Sequence, residues 1–256
     1  MHGSGSESGA RARAVSAWSL QHVGVVDIAL FPSTPYLATV VDAVSGSNVG
    51  VGAQDVHAEL AGPFTGDVAA EMIADVGASY VIVGHSERRR GHGESDACVA
   101  SKVAAALRAR LTPVVCVGES LSERQAGDAQ RVIRRQLDAV LAQVGSRIAQ
   151  CIVAYEPVWA IGTGQVATTD IVAAMHGQIR EMLTEVSADG SGVRILYGGS
   201  VNRDNAAALF RVADVDGALV GGASLVAEQF LAICSSAEET RAEETRAEET
   251  RAEDGR

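Results

Sequence analysis

Glu156 stands where a carboxylate could act as a base. The run Ala154-Tyr155-Glu156-Pro157-Val158-Trp159-Ala160-Ile161-Gly162-Thr163-Gly164 closes a buried apolar strand, Cys151 to Tyr155, with an acid. A proline follows at once, then a short apolar loop rich in glycine. Proline stiffens the hinge, and Gly162 and Gly164 allow the backbone angles that a moving lid needs. Trp159 is placed to swing over a pocket. A base at a strand end, beneath a loop that excludes water, can abstract a proton from carbon. An ordinary strand-to-helix loop with a solvent-facing glutamate is the other reading of the same run.

Val83-Gly84-His85-Ser86-Glu87-Arg88-Arg89 sets a histidine at a second strand end, ahead of a polar stretch able to start a helix. The positive end of that helix disfavours imidazolium, so His85 is expected as a neutral donor able to polarise a carbonyl. A structural histidine tied to neighbouring charges is the alternative. Two further runs, Tyr197-Gly198-Gly199-Ser200-Val201-Asn202 and Gly217-Ala218-Leu219-Val220-Gly221-Gly222-Ala223-Ser224-Leu225, pass from strand through glycines to a helix start. Backbone N–H groups exposed there bind phosphate, although tight turns need glycine as well. Two such turns on the last two strands match the phosphate site typical of α/β barrels.

These groups need a scaffold that gathers strand ends. Strands are expected at Val25–Leu30, Val49–Ala53, Tyr80–Val83, Pro113–Val117, Cys151–Tyr155, Val193–Tyr197 and Gly217–Val220. Helical patterns lie between them at Asp67–Val76, Asp96–Arg110, Ala129–Gln143, Asp170–Glu185 and Asn202–Phe210, after a first helix ending near Leu20. Strands alternating with helices mean a parallel sheet of βαβ units, with sites just past the strand C-termini, where Glu119 also falls.

With 256 residues, 47% of them apolar, the chain can bury one large core of barrel size. A net charge of −11 argues against nucleic acid or an anionic membrane as partner. No apolar run approaches the roughly 20 residues of a membrane span, and no signal peptide is evident. The four cysteines (98, 116, 151 and 234) are scattered, as expected for reduced thiols in a cytosolic protein. Residues 237–256 repeat Ala-Glu-Glu-Thr-Arg, with eight acidic and four basic side chains. A five-residue period keeps no apolar stripe on one helix face, so a solvated, disordered acidic tail, at most transiently helical, is expected there.

Together these motifs resemble the triosephosphate isomerase family. The resemblance runs from Met1 to about Cys234, in the family's order. It also includes Gly52-Ala53-Gln54-Asp55-Val56-His57, Phe64-Thr65-Gly66 and Cys116-Val117-Gly118-Glu119. It implies a (β/α)8 TIM barrel that interconverts dihydroxyacetone phosphate and D-glyceraldehyde 3-phosphate through an enediolate, in cytoplasmic glycolysis and gluconeogenesis, without cofactor or metal. By the same resemblance Glu156 is the catalytic base and His85 the electrophile. Gly162, Ser200, Gly221 and Gly222 bind the substrate phosphate, Glu87 supports the site, and Thr65 tips a loop that docks into the second subunit of a homodimer.

The family's first strand ends in Asn-Trp-Lys-Met, and Met1-His2-Gly3-Ser4 aligns with the end of that motif. The reading is therefore a barrel over residues 1–236 that lacks its first strand and catalytic lysine, with impaired activity, followed by the tail at 237–256. A start assigned at an internal methionine would explain the pattern. The alternatives are a non-catalytic phosphate-binding or interaction remnant, and an isomerase-like barrel acting on a different phosphorylated sugar. Lys102, the only lysine, is expected in a helix away from the strand ends. Pro63 and Gln165 are smaller departures from the family pattern.

Overall fold

Strand and helix alternate as the hydrophobic patterns predict. α1 (Gly5–Ser19) leads to β1 (Ala29–Leu30), α2 (Leu37–Ala43), β2 (Gly50–Ala53), α3 (Ala70–Asp75) and β3 (Tyr80–Val83). Then come α4 (Ser86–His92), α5 (Asp96–Arg108), β4 (Thr112–Val117), α6 (Leu121–Gln125) and α7 (Ala129–Val144). β5 (Ile152–Tyr155), α8 (Thr169–Val186), β6 (Ile195–Tyr197), α9 (Ala206–Phe210), β7 (Gly217–Ala218) and α10 (Ala227–Asp254) complete the order. The computed structural model describes residues 2–162, 166–186 and 188–254. The hinge reading of Gly164 and the departure at Gln165 lie outside the described residues.

Every pairing is parallel, and the sheet order is β1-β2-β3-β4-β5-β6-β7. This is a curled, seven-stranded α/β sheet of barrel type with its strand C-termini on one rim. The outer strands are shorter than their apolar runs suggested. Only Ala29 and Leu30 of Val25–Leu30 pair, and Val25 is 40% exposed. Past β7, Leu219 N–H still donates to the Tyr197 carbonyl at 2.9 Å.

Alternation along the strands divides two apolar layers. Ile82, Val114, Cys116 and Ala154 form a small inner cluster with Phe31, Ile152, Leu196 and Leu219 packed on it. Their neighbours Val81, Val83, Val115, Val117, Val153, Tyr155, Ile195 and Tyr197 belong to the large cluster shared with the helices. Successive side chains of a strand point to opposite faces, so the residue after Tyr155 faces inward with Ala154. That residue is Glu156.

The helices bury matching stripes. On α7 the stripe is Val132, Ile133, Gln136, Leu137, Val140, Leu141 and Val144. On α8 it is Val172, Met175, His176, Ile179, Met182 and Leu183. No helix among the described residues is long and apolar enough to cross a membrane.

The Ala-Glu-Glu-Thr-Arg repeats, expected as a solvated tail, continue α10 as helix to Asp254. Ile233 and Cys234 are buried in the core, and Phe230 and Leu231 pack against it, so the helix is nucleated before the repeats begin. Propagation then adds one hydrogen bond for each residue fixed, and Ala, Glu and Arg are good helix formers. The early repeats also touch the body. Thr240 is 3% exposed, Glu238 lies 2.7 Å from His22 Nδ1, and Glu243 accepts from Arg211 at 2.9 Å.

Candidate active site

The inward turn of Glu156 is made possible by its neighbours. Register pairs Val117 with Tyr155 and Tyr155 with Tyr197, so Gly118 and Gly198 occupy the next position on the flanking strands. A Cβ at Gly118 would collide with the Glu156 carbonyl, and one at Gly198 would lie 2.9 Å from Glu156 Cγ. Glycine on both sides leaves the room that the glutamate uses. Gln136 of α7 pins Gly118, accepting from its N–H at 2.8 Å and donating to its carbonyl at 3.0 Å.

Glu156 is 2% exposed, with one carboxylate oxygen accepting from Ser86 N–H at 2.9 Å. The other lies 2.9 Å from His85 Nε2. The two sequence-predicted catalytic groups, on different strands, are thus in direct contact. Inside the sheet Cys116 sits beside the same carboxylate, and burial together with that charge holds its thiol well above the ordinary cysteine pKa.

His85 is the N-cap of α4, and its Nδ1 accepts from Glu87 N–H at 3.2 Å. Gly84, with φ of +74°, makes the turn that delivers it. An acceptor at Nδ1 has no proton there, so the neutral tautomer carries its proton on Nε2. One expectation needs correcting. Burial lowers the His85 pKa, but the hydrogen bond and charge of Glu156, with Glu87 adding a little, leave it above the ordinary histidine value. The helix terminus alone does not set the charge while the carboxylate is in contact. Glu87 contributes its amide more than its side chain, which is 71% exposed.

Glu119 was visible as a strand-end acid but had no assigned role. It is fully buried and collects Arg124 Nε at 2.8 Å, Tyr155 Oη at 3.1 Å and Trp159 Nε1 at 2.8 Å. The Arg124 guanidinium also lies 5.3 Å from the centre of the Trp159 ring. Trp159, expected as a swinging cover, is here anchored by its indole N–H. Its signal in the sequence is a carboxylate one glycine after four apolar residues, where burial demands partners.

The predicted phosphate residues are distributed over three loops. Ser200 Oγ donates to the Ala160 carbonyl at 2.8 Å, tying the β6 turn to the segment that leads to Gly162. Gly162 has φ of +68°, in the left-handed region that favours glycine. Gly221 precedes and Gly222 begins a short 3₁₀ turn, Gly222–Leu225, beyond β7. A Cβ at Gly162, Gly221 or Gly222 would meet nothing within 4 Å.

Two placements lie outside this centre. Thr65 is at an exposed loop tip, where Phe64 packs on His57 with ring centroids 4.0 Å apart. Lys102 is on α5 as expected, but its ammonium reaches Asp55, just past β2, with both oxygens at 2.7 Å. It also meets Glu94 at 2.6 Å, so it is a buried, ion-paired lysine rather than one remote from strand ends.

A family model described as triosephosphate isomerase matches residues 1–237. The triosephosphate isomerase of Thiobacillus denitrificans is 50% identical over 239 residues, 93% of this chain and 95% of that protein. That of Bordetella pertussis is 55% identical over 202 residues, 79% and 81% of the two chains. Among solved structures, triosephosphate isomerase from Bartonella henselae superposes with a TM-score of 0.82 at 40% identity, covering 92% of this chain and 94% of its own.

Proposed function

This chain belongs to the triosephosphate isomerase family, and from that premise we propose that Glu156 is the base and His85 the electrophile of its reaction. The protein is an intramolecular isomerase that interconverts dihydroxyacetone phosphate and D-glyceraldehyde 3-phosphate. Glu156 would remove the proton from the carbon beside the carbonyl and return it to the neighbouring carbon. The Nε2 proton of His85 would support the carbonyl oxygen as it becomes an enediolate oxygen. The observation that carries this reading is the 2.9 Å contact between Glu156 and a His85 whose Nδ1 is already committed as an acceptor.

Groups in direct contact leave no space for a triose between them. Substrate must therefore part Glu156 from His85 and from Ser86 N–H before the carboxylate faces carbon. Gly162, Ser200, Gly221 and Gly222 would hold the phosphate through backbone N–H groups, with the Ser200 hydroxyl exchanging the Ala160 carbonyl for a phosphate oxygen. A crystal soaked with a phosphorylated enediolate analogue should carry its phosphate among these four residues. Density elsewhere would remove that assignment.

The Glu156→Gln variant tests the base. Turnover should fall by roughly 10²–10⁴, the range of general-base catalysis, with the fold intact. Near-normal turnover would exclude Glu156.

The chain further reads as a cytoplasmic homodimer of glycolysis and gluconeogenesis. Four free cysteines suit a reducing compartment. Leu60 and Phe64, 56% and 40% exposed around the Thr65 loop, suit burial against a second copy. Sedimentation of the purified protein and of a Thr65→Arg variant should give a dimer and a monomer respectively. A monomeric parent would end the dimer reading.

A further inference from the structure

His176 is fully buried and has no part in the chemistry given to Glu156 and His85. It interrupts the apolar stripe of α8, between Met175 and Ile179. Its Nδ1 lies 2.8 Å from the Asp214 carbonyl oxygen, which can only accept, so the ring carries its proton there and Nε2 keeps a lone pair. That Nε2 is buried with no hydrogen-bond partner among the described residues. Burial outweighs the Asp214 carbonyl and the acids near it and lowers the His176 pKa, favouring the neutral ring. An apolar side chain would fill the same place without the stranded Nε2, at the cost of the bond to the Asp214 carbonyl. The position therefore calls for a reason to hold an imidazole.

Its ring contacts supply one. Its centroid is 5.9 Å from Tyr155 at 86° and 6.4 Å from Tyr197 at 42°. These tyrosines are register partners on β5 and β6, both in the helix-facing layer. Tyr155 immediately precedes Glu156, and its hydroxyl donates to Glu119, the acid that holds Trp159 and Arg124. Tyr197 precedes Gly198, its hydroxyl is buried with no hydrogen-bond partner among the described residues, and its ring tip abuts Gly199 so closely that a Cβ there would collide. One imidazole backs both rings, one on the glutamate's own strand and one on the neighbouring β6.

We propose that His176 is a positioning residue for this isomerisation: oriented by the Asp214 carbonyl, its ring wedges Tyr155 and Tyr197 so that the Glu119–Trp159 anchor and the Gly198–Ser200 turn stay in place beside Glu156. The proposal rests on Glu156 being the base. It makes a claim that a simple hydrogen-bonded clip between α8 and the Asp214 turn does not. The ring matters more than its N–H.

Two variants separate these roles. His176→Phe keeps a ring and drops the donor, whereas His176→Gln keeps a donor and drops the ring. A Trp18→Phe background leaves Trp159 as the only indole of the chain's two tryptophans. In that background His176→Phe should keep kcat within about threefold, and His176→Gln should lose about tenfold at little-changed KM, modest beside the ~100-fold of a 1 Å misplacement. Acrylamide quenching of Trp159 should rise in the same order, parent, Phe, Gln. The kcat effect of His176→Gln should shrink once Tyr155→Phe has cut the route to Glu119, leaving only the Tyr197 route.

A His176→Gln protein matching its parent in both kcat and quenching while His176→Phe falls would overturn the wedge in favour of the clip. Full additivity with Tyr155→Phe would overturn it too. Quenching judges His176 whether or not the chain turns over, so an unfolded His176→Phe leaves the decision with His176→Gln. An active Glu156→Gln would instead remove the base assignment and leave the packing result standing.

Discussion

Two sets of glycines line the same rim, and they are glycines for opposite reasons. Gly118 and Gly198 flank Glu156, and any side chain there would strike the glutamate's own backbone or stem. Gly162, Gly221 and Gly222 face open space within 4 Å of where a Cβ would stand. The first set is demanded by the protein's packing and places a carboxylate. The second is not demanded by packing: Gly162 has the left-handed φ that favours glycine, and Gly221 and Gly222 show the pattern expected where a ligand's atoms must come close to backbone N–H groups. Identical residue types thus mark a positioning device at the ends of β4 and β6 and, in the function proposed above, a binding surface beyond β5 and β7.

The contrast is sharpest at Gly118. A Gly118→Ala side chain would meet the Glu156 carbonyl oxygen, and the backbone cannot yield because Gln136 holds Gly118 at both its N–H and its carbonyl. Overpacking of this kind costs about 1–3 kcal/mol, and more where backbone blocks the way. We expect a strongly lowered melting temperature and turnover near background. A Gly118→Ala protein of parental stability and activity would break the comparison at its strongest point.

A matched pair of substitutions comes next. Gly198→Ala should displace Glu156 Cγ, 2.9 Å from the new Cβ, and cut kcat about 100-fold, as a misplacement of about 1 Å does, with KM little changed. Gly222→Ala should leave the melting temperature unchanged and raise KM roughly tenfold or more, the size of a weakened hydrogen bond to a charged group. Steady-state kinetics on both variants reads the split directly. If the two lose kcat and KM in the same proportion, the glycines do one job, not two.

Much of this division was legible before any coordinates. The apolar runs at β3 to β6 read as strands of a parallel sheet, and the Glu156 and His85 motifs lie at strand ends where parallel sheets gather chemistry. Other features were not legible, because they arise from residues distant in sequence. Glu119 is explained only when Arg124, Tyr155 and Trp159 converge on it from three segments. Lys102 sits on the buried face of α5 because Asp55 and Glu94 arrive to neutralise it. The His85 charge depends on Glu156, 71 positions on, and no local helix rule contains that term.

Acid should expose a weaker difference between buried His176 and half-buried His85. The His176 pKa is lowered in the folded state, chiefly by burial, so its contribution to stability is present above the unfolded value near 6.5 and lost as pH falls. The His85 pKa is raised, so its contribution is present below that value and lost as pH rises through the folded pKa. Between pH 8 and pH 5 the melting temperature of His176→Phe should therefore decline less than that of the parent, and that of His85→Gln should decline more. Asp214, Asp216 and Arg180 are the charged groups that face His176. Identical slopes in all three proteins would show that neither histidine is coupled to folding as its surroundings require.

The acidic repeats at the far end of α10 should give the smallest effect of all. The charge pattern alone argues for a separate tail from residue 237, but α10 runs through it and its early repeats meet the body at Thr240, Glu238 and Glu243. Glu243 and Arg211 are each 55% exposed, and exposed pairs contribute about 0–1 kcal/mol, so the docking is shallow. Thr240 adds one buried side chain whose hydroxyl donates back to Ser236 within the same helix. Removing residues 247–256 should leave the melting temperature and turnover unchanged. Removing 237–256 should lower the melting temperature by about 2–4 °C, the shift that 1 kcal/mol produces in a domain of this size, and leave kcat/KM untouched. Glu238 and Glu243 pair with His22 and Arg211, away from the Glu156 centre, so a change in kcat/KM in either truncation would mean that α10 carries strain to the active rim, and the line between catalytic body and tail would have to be redrawn.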